Sequence, residues 1–208
     1  MIRNYRRKFG VSCNIVIAIA ALGLPTVAQT IAVPPVPTDI QVPPGNTPYL
    51  KGSAEGTQNY ICLPTTSGLA WKFQGPQATL FLTFKWMQGE IRQQVTTHFL
   101  SPNPGEAGAP ARATWQSSLD TSAVWAKKIA ESTDPDYVAP GAIPWFLLQT
   151  TGTQFGPNGG SMLAGTTYIQ RLKTTGGIMP TTACTEAGAI QFVPYTADYY
   201  FYRASRAQ

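Results

Sequence analysis

The chain has 208 residues, with 15 Lys and Arg against 10 Asp and Glu and a single histidine. Four of the cations (Arg3, Arg6, Arg7 and Lys8) fall in the first ten residues, which leaves 11 against 10, a net charge of +1, for the rest. That balance removes the electrostatic case for a nucleic-acid or anionic-membrane partner.

The basic start, the apolar run over 11–24 and the small residues Thr26-Val27-Ala28 before Gln29 form the layout of a secretory signal peptide over 1–28. The 14-residue run is too short for a bilayer span, which needs about 20 apolar residues. No later stretch is longer, so no integral span is expected after cleavage, and the mature protein is expected to work outside the cytoplasm, periplasmic or secreted. Arg6-Arg7-Lys8-Phe9 leaves the choice between general and twin-arginine export open. Cys13 precedes the apolar core, which argues against lipid attachment there.

Residues 29–48 form a Pro-rich segment with prolines at 34, 35, 37, 43, 44 and 48, excluded from helix interiors and central strands. Val36, Ile40 and Val42 offer apolar contacts, so the segment is expected to drape over a β-rich domain spanning 49–208. Within that domain, short apolar and aromatic runs at 59–63, 69–73, 79–86, 92–99, 143–150, 166–173, 189–193 and 198–203 predict strands. Turns are predicted at Gly75-Pro76, Gly156-Pro157, Gly159-Gly160 and Gly176-Gly177. Residues 122–131 fit a helix or a strand and lean towards a strand, and 101–111 reads as a long, mobile loop. The fold class is all-β: one antiparallel β-sandwich or barrel-like domain with long Pro/Gly-rich loops. Cys62 and Cys184 are the two cysteines left after cleavage, and an oxidising compartment favours one disulfide over two buried thiols.

Several ordered blocks carry a resemblance. Gly56-Thr57-Gln58-Asn59-Tyr60-Ile61-Cys62 opens it, followed by Trp71 and Gly75-Pro76-Gln77-Ala78-Thr79-Leu80. Ala142-Ile143-Pro144-Trp145-Phe146-Leu147-Leu148 forms a second block, and Ile169-Gln170-Arg171 leads to Thr175-Gly176-Gly177, Pro180 and Cys184. The chain closes on Val193-Pro194-Tyr195-Thr196-Ala197-Asp198-Tyr199-Tyr200-Phe201-Tyr202. Over residues 34–203 this resembles the exported, uncharacterised domain-of-unknown-function family 3455. The family pattern places a Trp soon after a His, whereas here a Pro/Gly-rich stretch separates His98 from Trp115. The resemblance implies a domain and no activity.

Candidate chemistry is sparse. His98 could act as a base oriented by Asp120, with Ser118 or Ser122 as nucleophile, but no nucleophile-elbow spacing supports it. One histidine beside a cysteine pair makes zinc improbable, and Asp134-Pro135-Asp136 reads as a turn rather than a calcium loop. No metal or other cofactor is expected. Glu55, Glu90, Asp120 and Asp198 are available as paired carboxylates, without a spacing that ranks them. Arg171 is a candidate carboxylate clamp, or a tie to a loop acid such as Asp198. Trp115 and Trp145 are candidate ligand-binding aromatics, and Tyr199–Tyr202 presents aromatic rings to both faces of a strand. The leading reading is a non-enzymatic exported β-domain that binds an envelope glycan, a small ligand or a surface protein. Its rivals are a hydrolase using His98 and a structural coat component.

Overall fold

The computed structural model describes residues 31–205; the signal peptide read over 1–28 lies outside them. After a single 3₁₀ turn (Thr38–Ile40) come eight strands: β1 (Asn46–Thr65), β2 (Gly68–Trp86), β3 (Gly89–Ser101), β4 (Arg112–Ser117), β5 (Ala123–Ser132), β6 (Trp145–Gln154), β7 (Tyr168–Gly176) and β8 (Ile190–Ala204). Each pairs antiparallel with the next, and β8 returns to β1 to close a barrel. Closure leaves no row of unpaired backbone groups at a sheet edge.

Alternation within the strands sorts side chains to the two faces. Along β1, Leu50, Gly52, Ala54, Gln58, Tyr60 and Cys62 are buried in phase. The small residues let the walls approach: a Cβ at Gly56 would lie 2.2 Å from the Gln77 carbonyl oxygen across the β1–β2 pairing. The barrel interior is filled by Leu50, Leu80, Val95, Trp115, Val124, Ile169, Tyr199 and Phe201.

A second apolar layer lies outside the barrel. Trp145, Leu147, Leu172, Tyr200 and Tyr202 face away from the interior and pack under Ile40 and Val138, with Val33, Val36 and Val42 at the margin. Thus β8 is buried on both faces, Tyr199 and Phe201 inward and Tyr200 and Tyr202 outward. Gln170 ties the layers: its Nε2 donates to the Ile40 carbonyl at 2.7 Å, and its Oε1 accepts from the Tyr202 hydroxyl.

The elements differ from expectation in five places. The predicted turn at Gly75-Pro76 lies inside β2, where an extra residue, Gln74, bulges between the pairs Asn59–Gly75 and Tyr60–Phe73. One strand therefore replaces the two predicted at 69–73 and 79–86, and β8 likewise spans both 189–193 and 198–203. Pro48, assigned to the draped segment, sits within β1 at its register irregularity with β8. β4 has no counterpart among the predicted strands. The loop over 102–111, expected to be mobile, is clasped: Arg112 donates through Nε and Nη2 to both Glu106 oxygens, at 3.0 and 3.1 Å, and Asn103 Nδ2 donates to Glu106 and to the Thr151 carbonyl.

Cys62 on β1 is bonded to Cys184 in the β7–β8 connection, with Cα atoms 5.7 Å apart. The bond closes a loop of 122 residues, nominally worth about 5 kcal/mol in the chain-entropy model. It fixes the connection over one end of the barrel, where Trp71 Nε1 also donates to the Thr182 carbonyl. Among the described residues no helix is long and apolar enough to cross a membrane.

Ile40 is fully buried against the outer layer. Ile40→Ala should lower stability by about 2–5 kcal/mol, read as a shift in the urea midpoint. A loss within the error of the midpoint would show that the segment adds nothing to the fold.

Candidate functional site

The two ends of the barrel are closed differently. At the end where β4 turns into β5, the β6–β7 connection folds inward and inserts Leu163, fully buried, as a plug. Asp120 holds the plug: one carboxylate oxygen accepts from the Met162 N–H at 2.8 Å, the other from the Ser122 hydroxyl at 2.7 Å and the Ser122 N–H at 3.1 Å. The Ser122 hydroxyl accepts in turn from the Leu163 N–H. Burial pushes the Asp120 carboxyl upward, but these bonds together with Ser117 outweigh it and hold the group at about 2.

At the opposite end, where β3 leads to β4 and β5 to β6, the interior stays open as a cavity of about 290 Å³. Its floor is aromatic. His98 and Trp115 face one another across the β3–β4 pairing and stack at 4.2 Å with their planes 6° apart. The stretch that separates them in sequence is the β3–β4 connection, so the hairpin restores the His–Trp neighbourhood. Tyr199 meets both rings edge-on, at 5.2 and 5.4 Å.

His98 Nδ1 lies 2.9 Å from the Thr114 carbonyl oxygen. A carbonyl only accepts, so Nδ1 carries the proton, and Nε2 is left as an acceptor. Burial lowers the imidazole to about 3; the Thr114 bond opposes that shift and the Arg171 charge adds to it. At neutral pH the ring is uncharged.

Arg171 enters from β7 and is only 7% exposed. Its Nε and Nη2 donate to the Pro144 carbonyl at 3.2 and 2.8 Å, and its guanidinium lies 3.7 Å from the centre of the Phe146 ring. Asp198, the loop acid considered as its partner, is engaged by Lys51 at 2.9 Å and by the Ser53 hydroxyl. Among the described residues Arg171 has no carboxylate partner. Two buried groups on residues that line the cavity, Gln58 Nε2 and Trp115 Nε1, have no hydrogen-bond partner among the described residues.

A broader hollow of about 770 Å³ adjoins this cavity at Pro76, His98 and Leu100. Its wall includes Glu55, which is paired with Arg92 at 2.6 Å. Among the described residues no group of three or more His, Cys, Asp or Glu is placed to hold a metal ion.

Of the residues singled out in the sequence, His98, Trp115 and Arg171 are thus brought together. Trp145 is not: it lies in the outer layer, 5.8 Å from the Tyr137 ring. Asp120 is bonded within the plug and makes no hydrogen bond to His98. Asp134 and Asp136 form a turn, the Asp136 N–H donating to the Asp134 carboxylate. Gln58, Phe146 and Tyr199 were not named as site residues. Gln58 could have been found as the one polar side chain in phase with Ala54, Tyr60 and Cys62 on the buried face of β1.

These features define an antiparallel eight-stranded barrel, plugged at one end and carrying a small aromatic mouth at the other. The chain belongs to the DUF3455 family, described as a protein of unknown function, whose model matches residues 43–203. No curated protein and no solved structure gave a match.

Since the unfolded chain protonates at the ordinary histidine value of about 6.5 and folded His98 only near 3, stability should fall as pH drops through that interval. Between about pH 6.5 and 5 the loss is His98's alone, because the carboxylates titrate lower. The single histidine makes this directly readable: in the untagged protein its ring proton resonances should stay constant from about pH 8 to 5. A midpoint near 6.5 would show that the ring is solvated and the stacked floor is not formed.

Proposed function

We propose that this protein is an exported binding barrel that takes one small, ring-bearing molecule into its mouth without changing it chemically. The observation that carries the reading is the cavity itself, on whose lining residues two buried groups, Gln58 Nε2 and Trp115 Nε1, have no partner among the described residues, with Arg171 beside them lacking a carboxylate. A buried donor without an acceptor costs about 1–3 kcal/mol, and a ligand that supplies acceptors offsets that cost. An aromatic wall with a few convergent polar groups is the usual composition of a small-molecule site, and eight-stranded barrels are wide enough to hold one such ligand.

The volume sets the size of the guest. About 290 Å³ accommodates a single ring with its substituents. An envelope glycan would engage through one terminal sugar. The hydrolase alternative has less support, because a base whose conjugate acid lies near 3 is a weak proton acceptor at neutral pH and no carboxylate is bonded to it. Export is supported by the cationic start, the apolar run and the Cys62–Cys184 bond.

Engagement of a surface protein is favoured by a separate feature. The β2–β3 hairpin tip exposes Phe84, Trp86, Met87 and Ile91 away from the barrel. Loss of cross-linked adducts on whole cells in a Trp86→Ser, Met87→Ser double variant would support that role, and unchanged adducts would remove it.

The mouth is tested by thermal shift of the disulfide-bonded protein against monosaccharides, cyclic alcohols and aromatic acids. At least one class should raise Tm in a concentration-dependent way. Ala113→Phe, which places a ring in the cavity, should abolish the shift while the far-UV spectrum stays unchanged. No shift from any class, or full binding by Ala113→Phe, would overturn the reading.

A further inference from the structure

We infer that the ligand of the barrel mouth is a monocyclic carboxylate, held through Arg171 with its ring beside Phe146. This rests on the small-ligand reading above and names its chemistry.

The guanidinium has five N–H donors in a rigid fork. The Pro144 carbonyl occupies the Nε–Nη2 side with a single oxygen. That anchor fixes the plane of the group and, with the Tyr199 hydroxyl beside the guanidinium, leaves its Nη1–Nη2 end without a carboxylate among the described residues. Two parallel N–H bonds from such an end match the two oxygens of a carboxylate.

Charge on the wall points the same way. Arg112, Lys127, Lys128 and Arg171 line the cavity, and no aspartate or glutamate does. Arg112 is paired with Glu106 and Lys128 with Glu131, whereas Lys127 and Arg171 have no ion pair among the described residues. A buried guanidinium without a counter-charge is unfavourable. A monoanion entering the mouth supplies that counter-charge, and neutral His98 adds no further positive charge beside it.

The remaining surface suits a compact ring. The Phe146 ring centre is 3.7 Å from the Arg171 guanidinium and 4.9 Å from the Lys128 ammonium, and Leu100 and Leu148 also line the cavity. His98 Nε2 then offers an acceptor for a ring hydroxyl. An aromatic hydroxy-acid and a sugar acid at the end of an acidic glycan share this chemistry.

Calorimetric titration of the wild-type, disulfide-bonded protein separates the cases, using 4-hydroxybenzoate against 4-hydroxybenzamide and glucuronate against glucose. The acid of at least one pair should bind about tenfold or more tightly than its neutral partner, with affinity falling as salt rises. Which pair responds identifies the aromatic or the sugar source. Lys127→Met, at an exposed wall position, should weaken acid binding and leave the neutral partner unchanged. Equal binding of acid and neutral partner overturns the carboxylate assignment while the small-ligand reading stands. Binding confined to a neutral class of the thermal-shift panel does the same. No binding of any compound overturns both. Arg171→Lys, which keeps the charge but loses the fork, should bind the acid more weakly than wild type in protein with an unchanged melting profile.

Discussion

The pairing of β8 with β1 is the contact on which the rest of the structure depends. It joins the last strand to the first, from Asn46–Ala204 to Ile61–Ile190, and turns a meander of hairpins into a closed wall. Without it both strands would be edges, Tyr199 and Phe201 would have no enclosed interior to fill, and the outer layer would lose Tyr200 and Tyr202. The small residues of β1 serve this closure, since Gly52, Ala54 and Gly56 let the neighbouring strands curve inward. The disulfide reinforces the same seam at one end: Cys62 lies on β1, and its backbone exchanges hydrogen bonds with Gly188 and Ala189 just ahead of β8.

Once closed, the barrel is divided by its aromatic centre. Trp115, Tyr199 and Phe201 fill the middle, with Trp115 and Phe201 ring centres 5.9 Å apart. On one side the Asp120 turn holds Leu163 and Met162 as a plug. On the other the β5–β6 connection contributes only Ile143 to the core cluster, beside Gly177. The β3–β4 connection is held to the wall by Glu106, Asn103 and Arg112, and the β7–β8 connection is held by the disulfide and by Tyr60, whose hydroxyl donates to the Gly177 carbonyl at 2.7 Å. Gly177 has φ of +79° and no room for a Cβ, which would fall 2.9 Å from that of Tyr195. The open mouth therefore has pinned rims.

Much of this architecture is legible in the residues and some is not, for physical reasons. Apolar and aromatic periodicity marks most strands because it records which side chains are inside, and the cysteine pair reads correctly because the spacing matters less than the absence of other partners. Gly75-Pro76 reads as a turn because proline cannot donate to a ladder; in β2 it stands next to a bulge that already breaks the pairing. β4 escapes notice because Arg112–Ser117 is short and largely polar, and Thr114 and Ser117 are buried by neighbouring elements rather than by their own pattern. The loop over 102–111 looks mobile in composition, yet its order comes from one glutamate meeting an arginine and an asparagine. At the site, the single histidine and a lone arginine near a double glycine draw attention as isolated residues. That His98 stacks on Trp115, and that Asp120 serves the plug rather than the histidine, are matters of register between strands, which no local pattern carries.

The electrostatics of the mouth follow from the same burial that builds it. His98 and Arg171 are both enclosed, but they answer low polarity in opposite ways. The imidazole has an accessible neutral form and takes it, giving up its charge and stacking as a flat, weakly polar ring. The guanidinium has no such option within the range proteins experience. It retains its charge and is stabilised by one carbonyl and the face of Phe146, neither of which is an anion. Two cationic groups side by side would repel, so the neutrality of one supports the burial of the other; Arg171 is among the groups that hold the His98 pKa down. The result is an aromatic recess with one fixed positive charge, in which a single carbonyl and the face of Phe146 stand where a counter-ion would.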